Sequence, residues 1–182
     1  MLIYIITSII ILLLLIIFTL LYNKLIYRKN QVDNAFSTID VLLQKRCDLI
    51  PNLVAVVQIY MQFEERTLVE ITRLRRKANS QGVTGDNRII VEDQITRILS
   101  QIMAAVEAYP ELKANQNFLQ LQYSLHEIEE QISAARRFYN TAVTEYNNAV
   151  EMFPSNLIAS WMQYRLKIQF QATPEARSRV NI

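Results

Sequence analysis

The most regular pattern of apolar and polar positions lies between Phe118 and Phe153. Pro110 precedes this stretch and Pro154 follows it, and neither glycine nor proline occurs inside it. Apolar or small residues recur there in alternating steps of three and four: Phe118, Leu121, Leu125, Ile128, Ile132, Ala135, Tyr139, Ala142, Tyr146, Ala149 and Phe153. A repeat of about 3.5 residues places all of them on one side of a helix. The pattern predicts one long helix whose continuous apolar stripe has to be covered by other helices.

Stripes of the same period occur before and after this helix. A helix that begins at or before Lys24 and runs on to Ala78 carries Val32, Phe36, Ile39, Leu43, Arg46, Ile50, Leu53, Val57, Tyr60, Leu68, Ile71 and Leu74. A helix that begins near Arg88 carries Val91, Ile95, Ile98, Ile102, Ala105 and Tyr109. A short amphipathic helix after Pro154 is predicted to carry Leu157, Ile158, Trp161, Tyr164, Leu166, Ile168 and Phe170.

Local signals mark where these helices begin and end. A run of basic residues before Asn79–Gly82 predicts a solvated helix C-terminus, with a docking patch for a partner or phospholipid as the second interpretation. Gln81–Asn87 is predicted to be a flexible loop. Pro110 suits the first turn of a new helical segment, and Asn115–Asn117 offers a cap for the long helix. Pro154–Asn156 predicts a turn followed by another cap.

Two residues depart from the stripe of the helix that begins near Lys24. Pro51 removes one backbone hydrogen bond, but the stripe keeps its phase, so the sequence predicts a kink with Asp48 capping the restarted turn. Arg46 stands where an apolar residue is expected. Either its stem packs while the guanidinium reaches solvent or a carboxylate, or it makes a buried polar contact that fixes helix register.

The first 22 residues predict a membrane anchor. Met1–Tyr22 carries no charge and consists mostly of Ile and Leu, and as a helix it would be about 33 Å long, enough to cross a hydrocarbon core of about 30 Å. It has neither the basic start nor the small-residue cleavage site of a signal peptide. Lys24, Arg28 and Lys29 follow the apolar stretch, which predicts an outward N-terminus and a cytoplasmic remainder. A specific site for anionic lipids is the second interpretation of these three residues.

The patterns together predict an all-α protein in three parts. These are a transmembrane anchor at residues 1–23, a helical bundle at 24–170 and a short tail at 171–182. The bundle is predicted to be an up-and-down antiparallel arrangement of about four helices with long, coiled-coil-like arms. An arm that extends beyond the bundle would favour self-association.

Composition argues against most kinds of catalysis. The formal net charge is +2, which gives no electrostatic footprint for nucleic acid. Both glycines, Gly82 and Gly85, lie in one loop, which excludes a glycine-rich phosphate loop elsewhere. Cys47 is the only cysteine, so neither an intrachain disulfide nor a Cys-based metal cage is expected.

The single histidine, His126, stands near glutamates on a predicted helix, a setting that occurs in phosphotransfer and in metal binding. The pair His126-Glu127 on a helix invites comparison with sensor kinases, but no proline follows it and the chain has no nucleotide-binding domain. A carboxylate-bridged metal site would need a Glu three residues before the histidine, and none is present. We therefore expect a solvated histidine, no catalytic residues, no cofactor and no metal.

Several longer motifs are similar to those of the LemA family. They are Arg46–Val54 (RCDLIPNLV), Ala108–Gln122 (AYPELKANQNFLQLQ), Ala135–Asn140 (ARRFYN), Val143–Asn147 (VTEYN) and Phe153–Ala159 (FPSNLIA). The resemblance extends from the anchor to about Ala159. It implies a bacterial single-pass protein of the inner membrane with an outward N-terminus and a cytoplasmic helical bundle. It implies no particular activity, although one relative takes part in magnetosome membrane formation.

The residues that carry this resemblance are the candidate site residues, and their roles are predicted to be structural. Pro51, Tyr109, Pro110, Tyr139, Tyr146, Phe153 and Pro154 accompany the polar residues Asp48, Asn52, Asn115, Asn117, Asn140, Asn147 and Asn156. Asn140 and Asn147 lie one heptad apart beside two tyrosines of the stripe. We expect these polar side chains to cap helices or to bond across the bundle, which would set its register. A small-ligand or partner site made from them is the alternative.

Two functions follow as hypotheses, with an enzyme as a distant third. The first is a non-enzymatic, membrane-anchored scaffold or interaction protein, whose partners are the lipid bilayer and either another protein or a second copy of the chain. The second is a membrane sensor or regulator that transmits a signal through the kinked helix.

Overall fold

The computed structural model describes residues 1–60, 65–80 and 86–170, and within them it contains helices and no strand. The helices are α1 (Leu2–Tyr60), α2 (Glu65–Ala78), α3 (Asp86–Val106), α4 (Pro110–Lys113), α5 (Gln116–Glu151) and α6 (Ser155–Trp161). The predicted all-α class is confirmed. Residues 81–85 of the loop predicted at 81–87, and the tail at 171–182, lie outside the described residues, whereas residues 86 and 87 belong to α3.

The first third of α1 is apolar and exposed. Its most apolar window of 18 residues has a mean hydropathy of 3.0, and none of that window is buried. Among the described residues, α1 is the one helix long and apolar enough to cross a membrane. It is therefore a candidate membrane anchor.

α1 continues through Pro51 without a break. Because proline has no N–H, it cannot donate to the carbonyl of Cys47 one turn earlier. Arg75 of α2 donates its Nε–H to that carbonyl oxygen instead, at 2.9 Å. The predicted cap is wrong, because the helix does not restart: Asp48 accepts a hydrogen bond from Gln44 of the same helix at 3.0 Å.

The chain divides into two compact units. We call Ile39–Ser133 the central unit, and Met1–Thr38 with Ala134–Ile182 the terminal unit. This division does not follow the predicted boundary at residues 23 and 24, which concerns membrane insertion and stays a prediction. The arrangement as an antiparallel bundle of about four helices also stays a prediction.

The core of the central unit consists largely of the predicted stripe positions. Its buried residues are Cys47, Ile50, Leu53, Val57, Leu68, Ile71, Leu74, Ala78, Val91, Ile95, Leu99, Ile102, Val106, Leu112, Phe118 and Leu125. They come from α1 to α5, and α2 packs against α3. α3 begins at Asp86, two residues before the predicted start, and Pro110 occupies the first turn of α4 as predicted.

A smaller cluster lies in the terminal unit. Leu25 of α1 is buried together with Ile158 and Ala159 of α6. Partly buried apolar residues pack around them, namely Leu21, Tyr22, Ala149, Val150, Met162 and Tyr164. Tyr139 and Tyr146 of α5 are also buried in this unit, as the stripe of the long helix predicts.

Three predictions for the terminal unit need correction. Phe153 is 80% exposed because α5 ends at Glu151, before the last stripe position is reached. Phe36 is also exposed and Ala35 is buried instead. The predicted helix from Leu157 to Phe170 is only partly present, because α6 ends at Trp161 and the residues from Tyr164 to Phe170 are not helical.

Candidate functional site

The side chains of Tyr139, Asn140, Tyr146 and Asn147 on α5, which we call the Tyr-Asn ladder, bind the main chain of the C-terminal segment, Arg165–Phe170. Each asparagine pairs with both main-chain groups of one residue. The Asn147 amide donates to Lys167 O and accepts from Lys167 N, both at 2.9 Å. The Asn140 amide donates to Phe170 O at 2.9 Å and accepts from Phe170 N at 2.8 Å.

The tyrosines add a bond to each asparagine pair. Tyr146 donates its hydroxyl to Arg165 O at 3.1 Å, and Tyr139 donates to Ile168 O at 3.3 Å. Each Tyr-Asn pair therefore contacts one residue of the segment and the second residue after it. The second pair repeats this pattern three residues along.

The spacing of the ladder fits an extended chain. One heptad of α-helix rises about 10.5 Å, and three residues span at most about 10–11 Å when the chain is nearly fully extended. Residues three apart can thus pair with asparagines seven apart only if the segment is extended. The heptad repeat of α5, which also forms its apolar stripe, sets this match.

Side chains of the segment pack around the ladder. The Phe170 ring lies edge-on to Tyr139, with ring centres 5.0 Å apart, and the Arg136 guanidinium lies 5.4 Å from its centre. The Lys167 ammonium lies 5.7 Å from the Tyr146 ring centre and 2.5 Å from a carboxylate oxygen of Asp33. These contacts supplement the main-chain bonds.

The ladder holds its tyrosines in the neutral form. Burial raises the pKa of the Tyr139 hydroxyl, and the negative charge of Asp33 raises it further. Burial likewise raises the pKa of Tyr146, with smaller contributions from Tyr164 and Asp33. Both hydroxyls therefore remain hydrogen-bond donors to a higher pH than an ordinary tyrosine hydroxyl would.

The sequence predicted that Asn140 and Asn147 cap helices or bond across the bundle, and the structure gives them a different partner. They neither cap a helix nor bond to another helix; they bind a non-helical segment that follows α6. The segment carried a signal of its own, since Tyr164, Leu166, Ile168 and Phe170 alternate with polar residues. That period of two is typical of extended chain.

A second polar cluster surrounds Arg46 in the central unit. Arg46 and Glu92 are both fully buried and form an ion pair at 2.5 Å. The same guanidinium contacts Glu129 at 2.5 Å and Thr96 Oγ1 at 2.7 Å. The buried polar contact, one of the two interpretations left open for Arg46, is thus the one observed.

The Arg46 guanidinium remains charged in this setting. Burial alone would lower its pKa, but attraction to Glu129 and Glu92 and hydrogen bonds to both outweigh burial, so the pKa lies above its ordinary value. Glu92, Thr96 and Glu129 were not predicted. Each of the three follows directly after a stripe residue, and this position beside the stripe is the sequence feature that could have identified them.

Three of the candidate residues, Tyr109, Asn115 and Asn117, lie around the start of α5. Asn115 Oδ1 accepts from Phe118 N at 3.1 Å, which is the predicted cap, and Asn115 Nδ2 donates to Tyr60 Oη at 3.2 Å. Tyr109 precedes α4 and packs on the central core. Asn117 is exposed.

The remaining candidate residues are spread over the two units. Pro51 and Asn52 are exposed on α1. The predicted cap after Pro154 is wrong: α6 begins at Ser155 without a side-chain cap, and Asn156 lies inside the helix.

The three basic residues after the apolar stretch differ in their surroundings. Arg28 forms an ion pair with Glu145 of α5. Lys29 lies 5.7 Å from the ring centre of Tyr164, and Lys24 is exposed.

The basic run at the end of α2 is only partly solvated. Arg75 contacts the Cys47 carbonyl, whereas Arg73 pairs with Glu70 on the exposed side of the helix. His126 is exposed beside Glu130. In residues 1–60, 65–80 and 86–170, no group of three or more His, Cys, Asp or Glu side chains could hold a metal ion.

Comparison with known proteins places these features in context. A family model described as the LemA family matches residues 35–182, which include the ladder, its segment and the Arg46 cluster. Protein LemA of Metamycoplasma hominis is 28% identical over 151 residues, covering 83% of this chain and 69% of that protein. Magnetosome proteins MamQ 1 and MamQ 2 of Paramagnetospirillum magneticum are each 22% identical over 178 residues, covering 84% of this chain and 65% of theirs. The chain thus spans about two thirds of the length of these relatives.

Proposed function

The chain belongs to the LemA family, and within that family we propose that it is a membrane-anchored interaction or scaffold protein without catalytic activity of its own. In this proposal α1 is inserted in the bacterial inner membrane with its N-terminus outside. The remaining helices form the predicted cytoplasmic bundle of about four antiparallel helices. The Tyr-Asn ladder is the site where the bundle binds extended polypeptide.

One observation carries the proposal. The ladder binds the C-terminal segment through six hydrogen bonds that all go to main-chain atoms. Main-chain recognition gives affinity with little dependence on sequence, as it does where a peptide adds to a sheet edge. A helix that recognises an extended backbone in this way is suited to binding polypeptide rather than to transforming a small molecule.

The simplest occupant in trans is the same segment of a second copy. A segment that binds its own ladder can bind an identical ladder with the same contacts. Anchoring in one membrane raises the local concentration of copies, which favours such an exchange. Relatives named as magnetosome proteins are compatible with a role in organising membranes or membrane-protein complexes.

Disulfide trapping in isolated membranes tests this site. Thr144 and Gln169 are in contact, with Gln169 Nε2 donating to Thr144 Oγ1 at 2.7 Å. In a Cys47→Ala background, one tagged copy carries Thr144→Cys and a second, differently tagged copy carries Gln169→Cys. Oxidation with copper phenanthroline should then yield a mixed disulfide dimer.

Controls separate ladder binding from simple proximity. Asn140→Ala with Asn147→Ala in the first copy should abolish the dimer, whereas Asn148→Ala, an exposed neighbour on α5, should leave it. Both cysteines placed in one chain should form the intrachain disulfide. If that bond forms but mixed dimers do not, a second copy is not the occupant.

A second candidate function is a membrane sensor or regulator, favoured by the course of α1. This helix runs unbroken from the apolar residues past Pro51 to Tyr60. Pro51→Ala should then change the yield of the disulfide dimer while the helical circular dichroism is kept. An unchanged yield would favour a purely structural proline.

A further inference from the structure

α6 presents large apolar side chains on its exposed side. Leu157 is 64% exposed and Trp161 is 73% exposed, whereas Ile158 and Ala159 are buried against α1. Phe153, just before the helix, is 80% exposed. Exposed apolar groups at this density on a seven-residue helix indicate a surface that something covers.

This surface continues directly into the apolar part of α1. A groove of about 550 Å³ lies between α6 and α1, lined by Phe18, Leu21, Leu157 and Trp161 among other apolar residues. The Trp161 ring lies edge-on to Phe18, with ring centres 6.4 Å apart. Phe18 belongs to the stretch that is the candidate anchor, so α6 lies beside the part of α1 that lipid would surround.

Charged groups border this surface at the side away from the anchor. Lys24, Arg28 and Glu145 line a neighbouring pocket together with Phe153 and Pro154. Apolar and aromatic side chains thus lie toward the anchor, and charged side chains lie beyond them. This order matches the layering of a membrane interface. Tryptophan in particular prefers that layer.

We propose that α6 is an interfacial membrane element. Leu157 and Trp161 insert among lipid chains beside α1, and lipid occupies the groove between the two helices. The proposal rests on the membrane anchoring proposed above and goes beyond it, because it adds a second contact with the bilayer near the C-terminal end of the chain. The occupant is the acyl and headgroup boundary of the bilayer.

Fluorescence of the full chain in vesicles tests the proposal, because Trp161 is the only tryptophan. The probe is phosphatidylcholine brominated either near the headgroup or near the end of the acyl chain. We expect a blue-shifted emission that shallow bromines quench more strongly than deep ones. Iodide added outside the vesicles should quench it little.

Two reporter variants calibrate the measurement. Trp161→Phe with Phe138→Trp moves the tryptophan to an exposed position about 20 Å before the end of α5. This reporter should respond to iodide and not to brominated lipid. Trp161→Phe with Leu12→Trp places the tryptophan within the anchor, where deep bromines should quench it.

The outcomes separate the two proposals. If Leu12→Trp is quenched by lipid but Trp161 behaves like the Phe138→Trp reporter, α6 does not enter the interface and only this inference is overturned. If the Leu12→Trp reporter is also insensitive to lipid, the anchoring itself is wrong and the inference falls with it. Shallow quenching of Trp161 supports the interfacial placement.

Discussion

Arg46 occupies a position where the stripe of α1 would ordinarily hold a hydrophobic side chain. It is buried there because Glu92 and Glu129 supply compensating charge. Removing two charges together from a buried site often costs little, but removing one leaves the other without compensation. The stability of the central unit should therefore depend on the pair rather than on Arg46 alone.

Arg46→Met should lower the free energy of unfolding by about 3–5 kcal/mol, because Glu92 then stays buried without its cation. Adding Glu92→Met should restore much of that loss. Urea unfolding of the detergent-solubilised chain measures both, with Lys45→Met, an exposed neighbour, as the control. Equal losses for the single and double variants would argue against the pair.

Pro51 is tolerated within α1 because another residue supplies the hydrogen-bond donor that proline lacks. Arg75 donates to the Cys47 carbonyl that residue 51 would otherwise bind. Pro51 and Arg75 are thus coupled through the carbonyl oxygen of Cys47, although they lie on different helices.

A double-mutant cycle tests this coupling. Arg75→Met should cost about 1–3 kcal/mol in the native chain, and less when Pro51→Ala restores a backbone donor. Arg76→Met, on the exposed side of α2, is the matched control. A cost for Arg75→Met that is the same in both backgrounds would show that Arg75 does not replace the lost hydrogen bond.

The long helix α5 combines two uses of one heptad repeat. Its stripe buries apolar residues, as the sequence predicted, while the residues beside the stripe bind the C-terminal segment. The stripe was predictable because it is a local pattern. The extended course of the segment was not predictable, because it depends on side chains about twenty or more residues earlier in the chain. Asn147, for example, binds Lys167.

Hydrogen exchange should resolve the two halves of the ladder. Asn147→Ala should speed exchange of the Lys167 amide at least about fivefold, with a smaller effect on Phe170, and Asn140→Ala should do the reverse. Asn148→Ala should change neither amide. Identical exchange in all three variants would mean that the asparagines do not hold the segment.

Alkaline pH should weaken the ladder. Because the pKa values of Tyr139 and Tyr146 are raised in the folded chain, the folded state holds these protons more tightly than the unfolded state. Their contribution to stability is complete below the ordinary tyrosine pKa of 10.0 and is lost as pH rises through the higher folded values. Above pH 10, the thermal unfolding temperature should therefore fall more steeply with pH for the native chain than for the Tyr139→Phe, Tyr146→Phe double variant. Parallel pH profiles would contradict this assignment.

For the molecule as a whole, the sequence predicted the helical class, the candidate anchor and most of the central core. It missed the Arg46 partners because an ion pair joins residues that are distant in sequence. It also predicted a final helix to Phe170 where the chain leaves α6 and becomes extended. The part that it missed, the contact between the ladder and the C-terminal segment, is the observation that carries the proposed function.

Photo-crosslinking in living bacteria tests whether the ladder binds a polypeptide from another molecule. With benzoylphenylalanine at position 144, beside the bound segment, irradiation should give a product heavier than the chain. Its yield should fall with Asn140→Ala and Asn147→Ala and stay constant with Asn148→Ala. A product that is absent, or whose yield does not depend on the two ladder asparagines, would contradict the proposed role of the ladder.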